Sequence, residues 1–385
     1  MNILVMCFRN PKTDPRPNRI INFLVKQNYP VTVLSREFNY KLKVKEKLTL
    51  PAIKRAFLHR MSRNLFKILN VLVLRIIGNG KGINIWLNNY ILNLHSFELK
   101  SNTHKYDLII VEDLQLLPLA FRIKEDSRIL FDAREYYTKQ REESFLFRKI
   151  EAPILEQICK NYLKKCDHLI TVSSGLARAY KKEFDVSMSV YKSVPFYQKF
   201  SVKKTSSGKI QMVHHGAAGR NRKIENMIEV VNRLDDRYTL DFFLVGSTKY
   251  ISELKNKASS CSRIKFNDPV CYQSIIPTLR NYDIGFFYVE PTTFNLLNCL
   301  PNKFFEYIQA RLAIAIGPSP CMQEIVENNK CGFVANEFSI ISMVQTLQKL
   351  TADSIDAAKE NSNQAALNLC HEAESKLLNK ILHNN

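Results

Sequence analysis

Short apolar runs recur along this chain in two series, and each run alternates with a helix-like pattern. No other feature constrains the fold as much. Residues 3–8 form the first run. A Pro-rich loop follows (9–17), then a helical pattern in Ile20, Ile21, Phe23 and Leu24, then Val31-Thr32-Val33-Leu34. Strand–helix–strand is the opening of a doubly wound α/β fold. Further apolar runs stand at 108–111, 129–131 and 169–172. A Ser- and Lys-containing stretch, 194–208, reads as a linker. A second series then places strands near 211–214, 240–245, 263–266, 284–288 and 312–316, and residues 355–382 are helical in pattern.

With 385 residues, two α/β domains are expected. We assign 1–195 to an N-terminal domain, 208–352 to a C-terminal domain and 353–385 to a C-terminal helical segment. In such folds ligands bind at crevices outside the carboxyl ends of the strands. The first loop, Asn10-Pro11-Lys12-Thr13-Asp14-Pro15-Arg16-Pro17, has no GxGxxG. That counts against a nicotinamide or flavin dinucleotide site there.

Charge separates the halves. The net charge is +20, and residues 1–100 alone carry +14, from 18 Lys and Arg against 4 Asp and Glu. Residues 201–385 carry only +3, from 21 against 18. A basic face attracts anionic lipid, nucleic acid or a phosphorylated substrate. Residues 41–100 read as helix-rich, with Lys41, Lys43, Lys45, Lys47, Lys54, Arg55, Arg60, Arg63 and Lys67 flanking Leu58, Leu65, Phe66 and Leu69. That pattern fits either a surface-seeking amphipathic segment or a helix with a solvated basic face. The basic half has no zinc-finger or RNP-type motif, so nucleic acid is not an expected partner. Nine cysteines without a CxxC pair, and no apolar leader, point to free thiols in a reducing cytosol and to no metal site.

Residues 300–307 read Leu-Pro-Asn-Lys-Phe-Phe-Glu-Tyr. Pro301 can open a helix and Asn302 can cap it. Lys303, Glu306 and Tyr307 then share one side of the first turn. A cation and a carboxylate there, beside the Gly317-Pro318-Ser319-Pro320 loop, suit a phosphorylated ribose. The bland alternative is a surface Lys303–Glu306 pair worth a few tenths of a kcal/mol.

Several segments, in order along nearly the whole chain, resemble the retaining family 4 type of GT-B glycosyltransferases. They are Asp14-Pro15-Arg16; Phe131-Asp132-Ala133-Arg134-Glu135; the stretch Asp167 to Leu176; Val213-His214-His215-Gly216 with Arg222-Lys223-Ile224-Glu225; Phe243-Leu244-Val245-Gly246; Leu300 to Tyr307; and Gly317 to Glu324 with Gly332. The resemblance implies two Rossmann-like domains facing each other across a cleft, with a C-terminal helix returning to the N-terminal domain. It implies that Glu306 holds the donor ribose and that Lys303 and Arg222 face the diphosphate. Gly216 would allow close backbone approach, and the loop with Ser319, Met322 and Gln323 would serve the nucleotide or sugar. Arg16, Asp113, Asp132 and Glu135 are candidates for the acceptor side, with Asp113, Glu135, Arg222 and Lys303 as the catalytic set. No metal or other cofactor is implied, only a UDP- or GDP-linked sugar as co-substrate.

Three positions depart from the family pattern. Asn298 stands where the Glu-x7-Glu pattern has its first glutamate, which addresses the donor sugar. Arg134 replaces a histidine, and Ala217 replaces an arginine. Asp132 and Glu135 have a simpler reading as a strand-end cap paired with Arg134. His214 and His215 end a strand, and at least one reads as a packed core histidine. The expectation is a glycosyltransferase, peripheral on the cytoplasmic face of a membrane. It would transfer a sugar to a lipid-linked or polysaccharide acceptor in cell-surface glycan synthesis. The alternatives are a nucleotide-sugar epimerase of the same fold and a non-catalytic nucleotide-sugar or membrane-binding homologue.

Overall fold

The computed structural model describes residues 1–12, 14–38, 43–50, 105–206 and 208–383. Most of the basic 41–100 stretch therefore lies outside the described residues. The chain divides into two compact units: Met1–Tyr191 with Thr293–Asn295, and Lys192–Thr292 with Leu296–Asn385.

The first unit holds β1 (Ile3–Met6), β2 (Val31–Ser35), β3 (Glu46–Thr49), β4 (Leu108–Val111), β5 (Arg128–Ala133), β6 (His168–Thr171) and β7 (Ser189–Val190). They form one parallel sheet in the order β3-β2-β1-β4-β5-β6-β7. The inner strands are buried on both faces, which is why they read as unbroken apolar runs. One expectation is corrected here. Glu46–Thr49 lies in the stretch read as helix-rich, yet it is an edge strand with alternating exposure. An edge tolerates Lys47, whose charge also discourages further strand pairing.

The second unit holds β8 (Ile210–Ala218), β9 (Tyr238–Gly246), β10 (Ile264–Asn267), β11 (Ile284–Phe287), β12 (Ala313–Ile316) and β13 (Gly332–Val334). Their order is β10-β9-β8-β11-β12-β13, again parallel. In each sheet the winding reverses once, between β1 and β4 and between β8 and β11. A reversal of this kind opens a crevice at the strands' carboxyl ends.

The stretch read as a linker is tied to the second unit. Gln198 N–H donates to Gln309 Oε1 (3.0 Å), Thr205 N–H to Asp356 Oδ1 (2.8 Å) and Tyr197 N–H to Glu372 Oε2 (2.9 Å). The tail, expected to return to the N-terminal domain, is counted with the second unit as helices Ala352–Asn368 and His371–His383. Buried Lys359 pairs with Asp283 at 2.9 Å, and Glu374 pairs with Lys192 at 2.8 Å. No described helix is long and apolar enough to cross a membrane.

Candidate functional site

The helix Asn302–Gln309 is buried from Lys303 to Gln309, so its two charged side chains sit inside the protein. Its start differs from expectation. Pro301 occupies the cap position with extended backbone, and Asn302 is already helical. The Asn302 carboxamide accepts from Ser193 Oγ (2.8 Å). Nor are Lys303 and Glu306 a surface pair. They are 6% and 5% exposed, and they form no ion pair with each other.

Each turns to a histidine at the end of β8. Successive strand residues point to opposite faces, so His214 and His215 serve different partners. His214 Nδ1 lies 2.9 Å from Phe286 O, and Lys303 Nζ lies 3.4 Å from His214 Nε2. His215 Nε2 lies 3.2 Å from Glu306 Oε2, a close polar contact without hydrogen-bond alignment. Gly216 follows with φ +105°, a conformation that glycine alone adopts readily. A Cβ there would lie 3.0 Å from Lys303 Nζ.

Among the described residues no carboxylate lies within ion-pair distance of Lys303 or Arg222. Burial first, and Arg222 second, pull the Lys303 ammonium down to about 7. Burial also lowers Arg222. Two cations thus share the carboxyl end of β8 without direct neutralisation, an electrostatic vacancy that fits an anion. Asn298 is buried just before this helix, and beside it Cys299 is pushed up to about 11 by burial.

After β12, Ser319 caps the helix Pro320–Asn329 by position, with no side-chain cap bond. Its N–H donates to Gly317 O (2.7 Å) and its carbonyl accepts from Gln323 N–H (2.8 Å). Met322 is buried, and the Gln323 amide donates to Glu327 (2.7 Å).

In the first unit the candidates gather at the ends of β4 and β5. Arg16 and Asp132 form a bidentate pair, Nε–Oδ2 2.6 Å and Nη2–Oδ1 2.7 Å. Arg16 Nη1 also donates to Tyr191 O (2.7 Å). Asp132 is 0% exposed. These two acceptor-side candidates thus face each other, both buried. The pairing of Asp132 with Arg134 is corrected. Arg134 instead bonds Asp14 and, at 2.7 Å, Asp113 Oδ1. The other Asp113 oxygen accepts from Phe8 N–H (2.8 Å). Glu135 alone of the four keeps a half-buried carboxylate that makes no hydrogen bond or ion pair among the described residues.

Sequence reasoning missed Glu112. It is fully buried, and among the described residues neither carboxylate oxygen has a hydrogen-bond partner, although Arg134 Nε lies 4.0 Å from Oε2. Burial first, then Asp132, raise it well above the usual carboxylate range. A raised acid means that the native state binds the extra proton, so stability falls as pH rises above the unfolded value of about 4.3. Glu112→Gln is therefore expected to stabilise the protein at pH 8, with the gain fading toward pH 4. Urea midpoints at the two pH values check this, and a gain larger at pH 4 contradicts it.

No family profile and no curated protein sequence matches the chain. Solved structures do resemble it. Sucrose-phosphate synthase from Thermosynechococcus elongatus is 10% identical with TM-score 0.69, covering 99% of this chain and 98% of that one. Anabaena HepE, solved with UDP-glucose, is 12% identical with TM-score 0.66 over 99% of each chain. WaaG, a glycosyltransferase involved in lipopolysaccharide biosynthesis, is 13% identical with TM-score 0.62, covering 97% and 98%. The fold is the GT-B fold. In GT-B terms, the Lys303, Arg222 and Gly216 cluster stands at the switch point of the second sheet, and the Arg134 network stands at that of the first.

Proposed function

We propose that this chain is a glycosyltransferase that uses a nucleotide-sugar donor, bound at the second sheet. The observation that carries the reading is the cation pair of buried Lys303 and partly buried Arg222, with no carboxylate within ion-pair distance among the described residues and Gly216 against the lysine. It has the charge and the open backbone that a diphosphate needs. Glu306 lies one turn along the same helix, within reach of ribose hydroxyls. HepE was solved with UDP-glucose and with UDP and glucose, and one other protein of the same fold, from E. coli, was solved with UDP-2-fluoro glucose, which supports the reading.

In the reaction the bond from the sugar's anomeric carbon to the diphosphate oxygen breaks, and a bond to an acceptor oxygen forms. The acceptor's proton passes to the departing phosphate. Lys303 and Arg222 offset the charge that develops on that group, so no protein nucleophile is required. The leaving phosphate then acts on the acceptor's side of the sugar, which fits retention. Of the acceptor-side candidates, Glu135 is the one whose carboxylate makes no hydrogen bond or ion pair among the described residues, which fits it to meet an acceptor hydroxyl.

A thermal-shift screen with UDP and GDP tests the donor site. One of the two is expected to raise the melting temperature. No shift with either contradicts the reading. Incubation with donor alone separates transfer from epimerisation, because only an epimerase converts the sugar without acceptor. For the acceptor, the basic N-terminal sequence fits a lipid-linked or polysaccharide chain at an anionic membrane. Binding to anionic vesicles should weaken with salt, and equal binding to neutral vesicles argues against that surface.

A further inference from the structure

We propose that His214 is a positioning residue, which presents Lys303 to the anionic ligand and favours its charged form. The inference rests on the donor-site reading above.

The tautomer follows by elimination. Phe286 O only accepts, so the His214 Nδ1 atom 2.9 Å away carries the hydrogen. Burial, and then Lys303, push His214 well below its usual range, so the ring is neutral. Nε2 is left with its lone pair, and Lys303 Nζ donates to it across 3.4 Å. The ring is completely buried, stacked on Phe287 with centroids 6.0 Å apart and edge-on to Phe242 at 6.0 Å. Phe287 also lies under the lysine, 5.4 Å from Nζ to the ring centroid. Gly216 closes a third side with no side chain.

The ammonium is thus held by an imidazole, a ring face and a bare backbone, none of them charged. One of its three N–H groups goes to His214, and the other two make no hydrogen bond among the described residues. These two are the donors available to a phosphate.

The charged and titratable groups around Lys303 are few. Arg222 comes from the turn after β8, Cys299 from the segment before the helix, and Glu306 from the helix itself. His214 comes from β8, and its neighbour His215 is turned to Glu306. Glu306 and a Cys299 thiolate favour the charged lysine, whereas burial and Arg222 oppose it. With the ammonium at about 7 in the free protein, an arriving diphosphate raises it and a proton is taken up. His214 works in the same direction, because only the lone pair on Nε2 rewards the protonated amine.

The test is calorimetric titration of the full chain with UDP and with GDP at pH 6.0, 7.5 and 8.5. Buffers of different ionisation enthalpy report the protons exchanged. At pH 8.5 the nucleotide's terminal phosphate, which titrates near about 6, is already ionised, so uptake belongs to the protein. The wild type should take up a substantial fraction of a proton at pH 8.5. His214→Phe keeps the ring packing and removes the acceptor. It should bind about tenfold more weakly at pH 7.5, with the gap closing at pH 6.0. His214→Gln restores an acceptor oxygen and should recover part of the loss.

If neither nucleotide binds the wild type at any pH, the donor-site reading fails and this inference fails with it. If one binds without proton uptake at pH 8.5, the inference alone is overturned. The same holds if His214→Phe binds like the wild type throughout. The wild-type measurement decides even if a variant does not fold.

Discussion

Lys303→Met is expected to cut sugar transfer sharply while making the protein more stable. The two effects have one origin. The ammonium is buried without a carboxylate beside it, which is costly in the empty protein and useful only when an anion arrives. Loss of one such contact to a charge that develops in the transition state typically lowers kcat/KM by about 10²–10³. Stability moves the other way. A lysine lowered to about 7 in the native state binds fewer protons than the unfolded chain between pH 7 and its unfolded value of about 10.4. Its penalty is therefore full below about pH 7 and declines as pH rises toward 10. Lys303→Met should gain a few kcal/mol at pH 7 and little at pH 10. Activity assays alongside urea denaturation at both pH values check the pair. A variant that loses both activity and stability would show that Lys303 serves the fold. Glu306→Ala should lower nucleotide affinity too, since it removes the carboxylate proposed for the ribose.

Arg16→Ala is expected to cost about 3–5 kcal/mol, enough to unfold a marginally stable protein. The substitution leaves Asp132 fully buried and without its two hydrogen bonds, near Glu112. It also removes the hydrogen bond from Arg16 to Tyr191 O, which ties the residue after the last strand of the first sheet to the helix Pro15–Lys26. Arg16→Met combined with Asp132→Leu removes both charges at similar volume and should recover much of the loss. Melting temperatures of the single and double variants measure this. A single variant that folds normally but loses acceptor affinity would return Arg16 to the ligand.

The strands were legible because parallel strands buried on both faces are written as continuous apolar runs. Leu108–Val111 is read residue for residue. β8 was read as ending near 214, yet it runs on through His215 and Gly216 to Ala218. Those residues carry no apolar signal. They are held in the sheet by β9, with His215 opposite Phe243 and Ala218 opposite Gly246. That Lys303 and Glu306 lie on one helix was legible from their spacing. The histidines that hold them were not assigned, because His214 and Lys303 are 89 residues apart in sequence. Arg16 and Asp132, separated by 116 residues, were named for the acceptor side, and their pairing with each other was not read from the sequence. Polar residues at a strand end look alike in sequence, whether they meet a substrate or each other.

The backbone passes between the two units three times, at Tyr191, Thr292 and Asn295. At the last two it lends three residues to the first unit. Asn295 exchanges hydrogen bonds with the Tyr136 backbone (2.7 and 3.1 Å) and donates to Lys139 O (3.3 Å). Phe294 packs on the Tyr136 ring with centroids 5.0 Å apart, under the Lys139 ammonium. A fragment that stops at Tyr191 therefore contains every strand of its sheet but not all of its own packing. Neither half of this protein is a cassette that can be moved to another gene as one uninterrupted stretch. An exchange of first units between relatives would have to carry a three-residue patch from the middle of the other unit along with it.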